Sequence, residues 1–296
     1  MNCTRAHTLI TGASSGIGRA TALRLAAAGQ HVYAGVRREA DGDNLARAAA
    51  GGEITPVLLD VTSPDQIAGA AALIGGHVPA GLDGLVNNAG YGLAFPTELV
   101  PLDAFRRQLD VNVTGQLAVT QTMLPLLRRA GGRIVVVSTI GVRFNPPFAG
   151  PLDAAKAALT ALADSLRQEL APWGIRVILL EPASINSGAA SKVSRDAAGA
   201  LATVSPQGRA LYEKTFTSML TVMARREGNG SPPDVPAATI VRALTARRPR
   251  TMYLAGKDAR RVALLSRLPA PVLDAAKRRV FGLPSPGSLA AQPASR

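Results

Sequence analysis

Three groups of residues in this 296-residue chain have the types and spacing for chemistry. The first is the run Thr11-Gly12-Ala13-Ser14-Ser15-Gly16-Ile17-Gly18, between a short apolar run at 8–10 and a stretch of helical spacing at 16–28. A strand, a glycine turn and a helix start, in that order, aim backbone N–H groups and the positive end of a helix dipole at one point. That suits a pyrophosphate. The second is Lys156 with Asp153 three residues earlier, a spacing at which an ammonium and a carboxylate can pair on one helix face. The third is apolar: Phe144, Pro146, Pro147 and Phe148 after the fifth strand, with Tyr91 and Tyr212 in other connections, side chains able to line a greasy pocket. The histidines, His7, His31 and His77, are scattered, and Cys3 is the one cysteine. No metal site is expected from that set, no intramolecular disulfide is available, and a reducing compartment suits the chain.

The elements that must position these residues alternate. Apolar runs at 8–10, 31–35, 54–59, 84–87, 133–137, 176–180 and 251–254 read as strands. Between them, 16–28, 64–74, 102–127 and 152–171 carry helical spacing. Strands alternating with helices imply right-handed βαβ units and a parallel sheet. The fully apolar strands predict a sheet covered on both faces. The expected architecture is α/β, a Rossmann-type doubly wound sheet of about seven strands. Residues 183–230, rich in Ala, Ser and Gly, read as a mobile helical lid within a 1–260 domain. Residues 261–296 read as C-terminal basic helices and a frayed tail.

The glycine spacing, Gly12-x-x-x-Gly16-x-Gly18, resembles the short-chain dehydrogenase/reductase family. Asn87-Asn88-Ala89-Gly90 after the fourth strand, Asp60 after the third and Asn112 in Asp110-Val111-Asn112-Val113-Thr114-Gly115 resemble it too. Glu181-Pro182 stands where that family usually reads Pro-Gly, and 253–259 looks like the branch of 17β-hydroxysteroid and retinol dehydrogenases. The resemblance spans about 5–260. It implies a nicotinamide dinucleotide held by Gly12, Ser14, Ser15, Gly16, Ile17, Gly18, Asp60, Val61, Asn88, Ala89, Gly90, Lys156, Pro182 and Ile185. The end of the second strand chooses the cofactor. An acid there binds the ribose 2′-hydroxyl, whereas a base favours a 2′-phosphate. This chain has Val36 and then Arg37-Arg38. NADP(H) is therefore expected over NAD(H), with Arg37 on the phosphate.

The resemblance breaks at its centre. The family's Tyr-x-x-x-Lys motif keeps Lys156 but places Leu152 at the tyrosine, and no tyrosine lies between Tyr91 and Tyr212. The partner serine position falls on Thr139, beside Ser138. Leucine has no ionisable proton. Asn112, Thr139 and Lys156 remain as catalytic residues. Asp153, Tyr91 and Tyr212 are substitutes for each of which packing or surface exposure is the expected role. The reading is an NADP(H)-dependent oxidoreductase acting on a small lipophilic carbonyl or alcohol, with atypical proton transfer. A dinucleotide-binding protein without turnover and a non-redox cyclase or isomerase on the same scaffold stand as alternatives.

The net charge of +13 is concentrated late: from 237 onward, twelve Lys and Arg face only Asp258 and Asp274. Arg260, Arg261, Arg267, Lys277, Arg278 and Arg279 interleave with Val262, Leu264, Leu265, Leu268, Val272, Leu273, Val280 and Phe281. The expectation is that the apolar face packs on the domain while the charges meet water. Peripheral contact with an anionic membrane is the alternative. No nucleic-acid motif accompanies the charge. Self-association is left open. Strand sequence begins by Thr8 and no apolar run approaches the length of a membrane span, so the cytoplasm is the expected location.

Overall fold

The computed structural model describes residues 5–202 and 204–289, and Cys3 falls outside them. Seven strands, β1 (His7–Ile10), β2 (His31–Val36), β3 (Glu53–Leu58), β4 (Gly84–Asn87), β5 (Arg133–Val137), β6 (Arg176–Pro182) and β7 (Met252–Ala255), form one sheet. Its order is β3-β2-β1-β4-β5-β6-β7, and every neighbouring pair is parallel. The order reverses between β1 and β4, where a doubly wound sheet opens a crevice beyond its carboxyl ends.

The intervening helices are α1 (Gly16–Ala27), α2 (Glu39–Arg47), α3 (Pro64–His77), α4 (Leu102–Leu109), α5 (Gly115–Ala130), α6 (Gly141–Phe144) and α7 (Gly150–Glu169). After β6 come α8 (Ala189–Ala202), α9 (Pro206–Gly228) and α10 (Asp234–Thr245). After β7 come α11 (Ala259–Leu265) and α12 (Ala270–Phe281). Side chains alternate across a strand, so β5 feeds two cores at once. Ile134 and Val136 pack with Val119 and Met123 of α5 and Leu159 of α7. Val135 and Val137 pack with Leu25 of α1 and Ile240 of α10. This explains why the strand is apolar from Ile134 to Val137.

The structure departs from the sequence reading in four places. The stretch 102–127 is not one helix: a π-helical turn, Asp110–Thr114, separates α4 from α5. An inserted residue shifts the helical phase without removing apolar residues, so periodicity runs straight through it. Helix α2 went unread because only Gly42 and Leu45 are buried in it, too few for an apolar stripe. The scattered histidines converge: His31 stacks on Tyr33 at 4.5 Å between ring centroids, with His7 5.2 Å from His31 and His77 6.2 Å from Tyr33. Among the described residues, however, no group of three His, Cys, Asp or Glu is placed to hold a metal ion.

The fourth departure is at the C-terminus. Ala259 and Phe281 are buried and Val262 and Leu273 half-buried, but Leu264, Leu265, Leu268, Val272 and Val280 are exposed. The expected cover for the apolar positions exists for only some of them, because α11 and α12 each touch the domain along one narrow line. No helix among the described residues is long and apolar enough to cross a membrane.

Candidate active site

The crevice is built from the β1 end outward. Thr11 closes β1, and its hydroxyl accepts the backbone N–H groups of Asn88 (3.0 Å) and Ala89 (2.9 Å) while lying 3.3 Å from Val86 O and 3.4 Å from Gln116 Oε1. Asn88 Nδ2 donates to the carbonyls of Thr11 (3.0 Å) and Gly12 (3.1 Å), and Gln116 Nε2 donates to Ala89 O. The β1 and β4 turns are thus stitched together from both sides. Gly12 has a φ of +65°, and a Cβ there would lie 2.8 Å from Ala89 Cα. A Cβ on Gly18 would lie 2.3 Å from Gly12 O. Only glycine lets the first turn of α1 press against the loop.

Ser14 and Ser15 are exposed, and Ser15 at the α1 N-cap makes no side-chain cap bond. The first N–H groups of α1 therefore stay open to an external anion. This cradle, with its close approach and uncapped helix end, fits a dinucleotide's pyrophosphate. Ile17 is half-buried beside it, and Gly16 shares with Asn186 and Ser187 a surface concavity of 590 Å³ along α1. Farther on, Ile185 is half-buried and bridged to Ser231, and the Pro182 carbonyl accepts the Ile140 N–H at 3.0 Å.

At the β2 end, Arg37 is exposed and forms no ion pair among the described residues, whereas Arg38 is held by Asp41 through two bonds of 2.8 and 2.9 Å. Asp60 takes the backbone and hydroxyl of Thr62 at 2.9 and 2.7 Å. Burial raises its pKa, but the Thr62 bonds and the charges of Arg37 and Arg107 outweigh it and leave the carboxyl below its ordinary value. Val61 is buried beside it, under Gly115.

The catalytic candidates gather between β4, β5 and α7. Asn112, fully buried on the π-helical turn, grips the backbone of Tyr91: its Oδ1 accepts the Tyr91 N–H at 3.0 Å and its Nδ2 donates to the Tyr91 carbonyl at 2.9 Å. Lys156 Nζ donates to Val137 O at 2.8 Å, and burial lowers its pKa to about 8. A methyl built on Gly90 would lie 2.9 Å from Asn112 Oδ1 and 3.5 Å from Lys156 Nζ, so the three meet at one spot. Thr139 Oγ1 accepts the Gly141 N–H at 3.1 Å. Ser138 turns inward to Thr160 at 2.9 Å, so Thr139 is the better placed of the two hydroxyls.

The short chain dehydrogenase family profile matches residues 6–198. The chain belongs to that family. It is 36% identical over 288 residues to human retinol dehydrogenase 5, covering 95% of this chain and 90% of that one. It is 31% identical to mouse estradiol 17-beta-dehydrogenase 2, covering 95% and 76%. A short-chain dehydrogenase structure from Streptomyces avermitilis superposes with a TM-score of 0.73 at 26% identity, over 95% of this chain and 97% of that one. One from Burkholderia cenocepacia, solved in complex with NADP, does so at 0.68 and 25%, over 97% and 100%. The family's fold binds nicotinamide cofactors, and a 3-ketoacyl-(acyl-carrier-protein) reductase from Brucella melitensis, which superposes with a TM-score of 0.66 at 24% identity over 84% of this chain and 95% of that one, is complexed with NADH.

Within this short-chain dehydrogenase, the surroundings of Leu152 are unlike the cradle. Leu152 is half-buried, its Cδ2 3.4 Å from where a Gly92 Cβ would stand, beside Val193 of α8. Asp153 does not pair with Lys156. It turns under α6, where a Gly141 Cβ would lie 2.5 Å from its Oδ1, and its Oδ2 has no partner. Burial raises its pKa to about 7. Tyr91 is committed to Asn112 through its backbone, and Tyr212, on α9 rather than in a loop, donates to Glu98.

Phe148, at a φ of +65°, packs edge-on against Tyr212 and Phe216, with ring centroids 6.1 and 5.5 Å away. Phe144 meets Phe281 of α12 at 6.3 Å. These rings join Phe95, Phe216 and Met219 in an apolar cluster beneath α8 and α9. Sequence reasoning missed Gln116, Gln108, which donates to Tyr91 O at 2.9 Å, and the pair of half-buried Arg143 with buried Glu181 at 2.5 Å. The signal for the pair was an acid, Glu181, directly after the apolar run Val177–Leu180.

Proposed function

We propose an NADP(H)-dependent oxidoreductase that acts on a lipophilic carbonyl or alcohol and moves its proton without a phenol at position 152. The observation that carries the cofactor choice is the end of β2, where Arg37 is unpaired, Arg38 is occupied by Asp41 and no acid stands at Val36. The bound dinucleotide supplies or accepts the hydride. The chain's residues do the rest. Gly12, Gly18 and the α1 N-terminus hold the pyrophosphate. Lys156, fixed on the Val137 carbonyl, would hold the nicotinamide ribose hydroxyls. The Thr139 hydroxyl, which uses its lone pair on Gly141 N–H, keeps its own proton for a substrate oxygen. Asp153 is the nearby acid that burial keeps protonated up to about pH 7. The aromatic cluster under the lid supports a lipophilic substrate, as do relatives named for retinol and estradiol.

The test is twofold. NADPH should bind more tightly than NADH, and Leu152→Tyr should raise NADPH-dependent ketone reduction at least tenfold, a bound set below the about 10²–10⁴-fold that a positioned acid contributes. Equal affinity for both dinucleotides would defeat the cofactor reading. A Leu152→Tyr protein that binds NADPH yet reduces nothing in a broad carbonyl panel would favour a dinucleotide-holding protein without turnover or a non-redox cyclase or isomerase on the same scaffold.

A further inference from the structure

We infer that α11 and α12 form a docking surface for an anionic lipid bilayer. Six of the thirteen large apolar side chains exposed among the described residues lie between 264 and 289. Helix α12 is turned inside out. Val272, Ala276 and Val280, spaced i, i+4 and i+8, share its outward face, with Val272 51% exposed. Its inward face carries Leu273, Phe281 and a cation, Lys277, whose side chain is only 16% exposed, over the Phe144 ring at 5.6 Å and beside Asp274 at 3.3 Å. Leu264 at 67% exposure, Leu265 and Leu268 extend the apolar surface through α11 and its turn.

Charge identifies the occupant. Both acids in this segment are engaged, Asp258 with Arg261 at 3.6 Å and Asp274 with Lys277. Arg260, Arg267, Arg278 and Arg279 form no ion pair among the described residues. Aliphatic side chains ringed by unpaired arginines match the acyl edge and anionic headgroups of a bilayer, where each cation adds attraction and each buried methylene adds transfer energy. A second copy is a poor occupant: a two-fold contact would set the same arginines against each other. Nucleic acid would leave the aliphatic face desolvated against a polar backbone. The docked face lies directly behind α9, because α12 packs there through Phe281. The inference does not depend on which substrate the site takes.

The experiment is co-sedimentation of the full chain with vesicles of phosphatidylcholine alone or mixed with phosphatidylglycerol. The unaltered chain should pellet with the mixed vesicles, which should slow amide exchange in α11 and α12 but not in α3. Leu264→Gln with Val272→Gln and Val280→Gln should abolish pelleting at unchanged Tm, since all three side chains are exposed. Arg260→Gln with Arg267→Gln and Arg279→Gln should weaken binding roughly a hundredfold. Three results would overturn the inference: the unaltered chain staying in the supernatant; the apolar variant pelleting like the parent, which would mean adsorption by charge alone; or the apolar variant pelleting normally while a dimer becomes a monomer, which would make the face a contact between copies.

Discussion

The glycine cradle and the region around Leu152, Asp153 and Lys156 lie within one crevice but are built differently. In the cradle, Thr11, Asn88 and Gln116 spend their polar atoms on the backbones of the β1 and β4 turns, so the cradle is part of the scaffold itself. On the other side, Leu152 offers nothing to a proton, Asp153 keeps a buried oxygen without a partner, and burial alone holds Lys156 at about 8. A polar network that is part of the fold resists change, because losing one member leaves another buried and unpaired. A side chain that only faces substrate can change with little cost to the fold. The network around Thr11 therefore tolerates less change than the side chains around Leu152.

The strongest way to break the contrast is Gly18→Val, whose Cβ would collide with Gly12 O. It should abolish NADPH binding by fluorescence titration; a variant that still binds would show that the cradle tolerates change after all. Arg37→Ala should weaken NADPH about ten- to hundredfold, the worth of one charge-assisted bond at about 1.5–3 kcal/mol. It should leave NADH unmoved. Equal loss for both would place Arg37 on something other than the 2′-phosphate.

Arg143→Met probes the joint between the two sides, because Arg143 on α6 pairs with Glu181 at the end of β6. Leaving a buried carboxylate alone should cost roughly 1–3 kcal/mol by denaturant unfolding. The companion Arg143→Met with Glu181→Gln should recover most of it. No loss in the single variant would mean the pair contributes nothing to holding the 139–141 turn.

Asp153→Asn sharpens the contrast with the opposite sign. The folded pKa near 7 lies above the unfolded value of 3.8. Between these, the unfolded chain releases a proton that the folded chain keeps, so the native protein loses stability as pH rises from about 4 to about 7. Asparagine does not titrate. The variant should therefore be more stable than the parent at pH 8 by on the order of 1–3 kcal/mol, read by denaturant unfolding, and the gain should vanish near pH 4. A gain that persists unchanged at pH 4 would assign it to packing instead.

The alternation of apolar runs and helical stretches determined the parallel sheet, because each strand must be apolar on both sides to lie between two helix layers. The glycine spacing and its strand–turn–helix setting determined the cradle, since those constraints are local. What periodicity cannot carry was decided in three dimensions. The π-helical turn that aims Asn112 at Tyr91 changes phase without changing composition. Asp153 and Lys156, paired by their spacing, diverge because Lys156 reaches the Val137 carbonyl while Asp153 lies under Gly141, contacts set by a strand and a turn distant in the chain. The same limit applies at α12. Its residues announce an amphipathic helix, but whether Val272 or Lys277 faces the protein depends on where Phe281 and Phe144 meet, and only the packed structure places that contact.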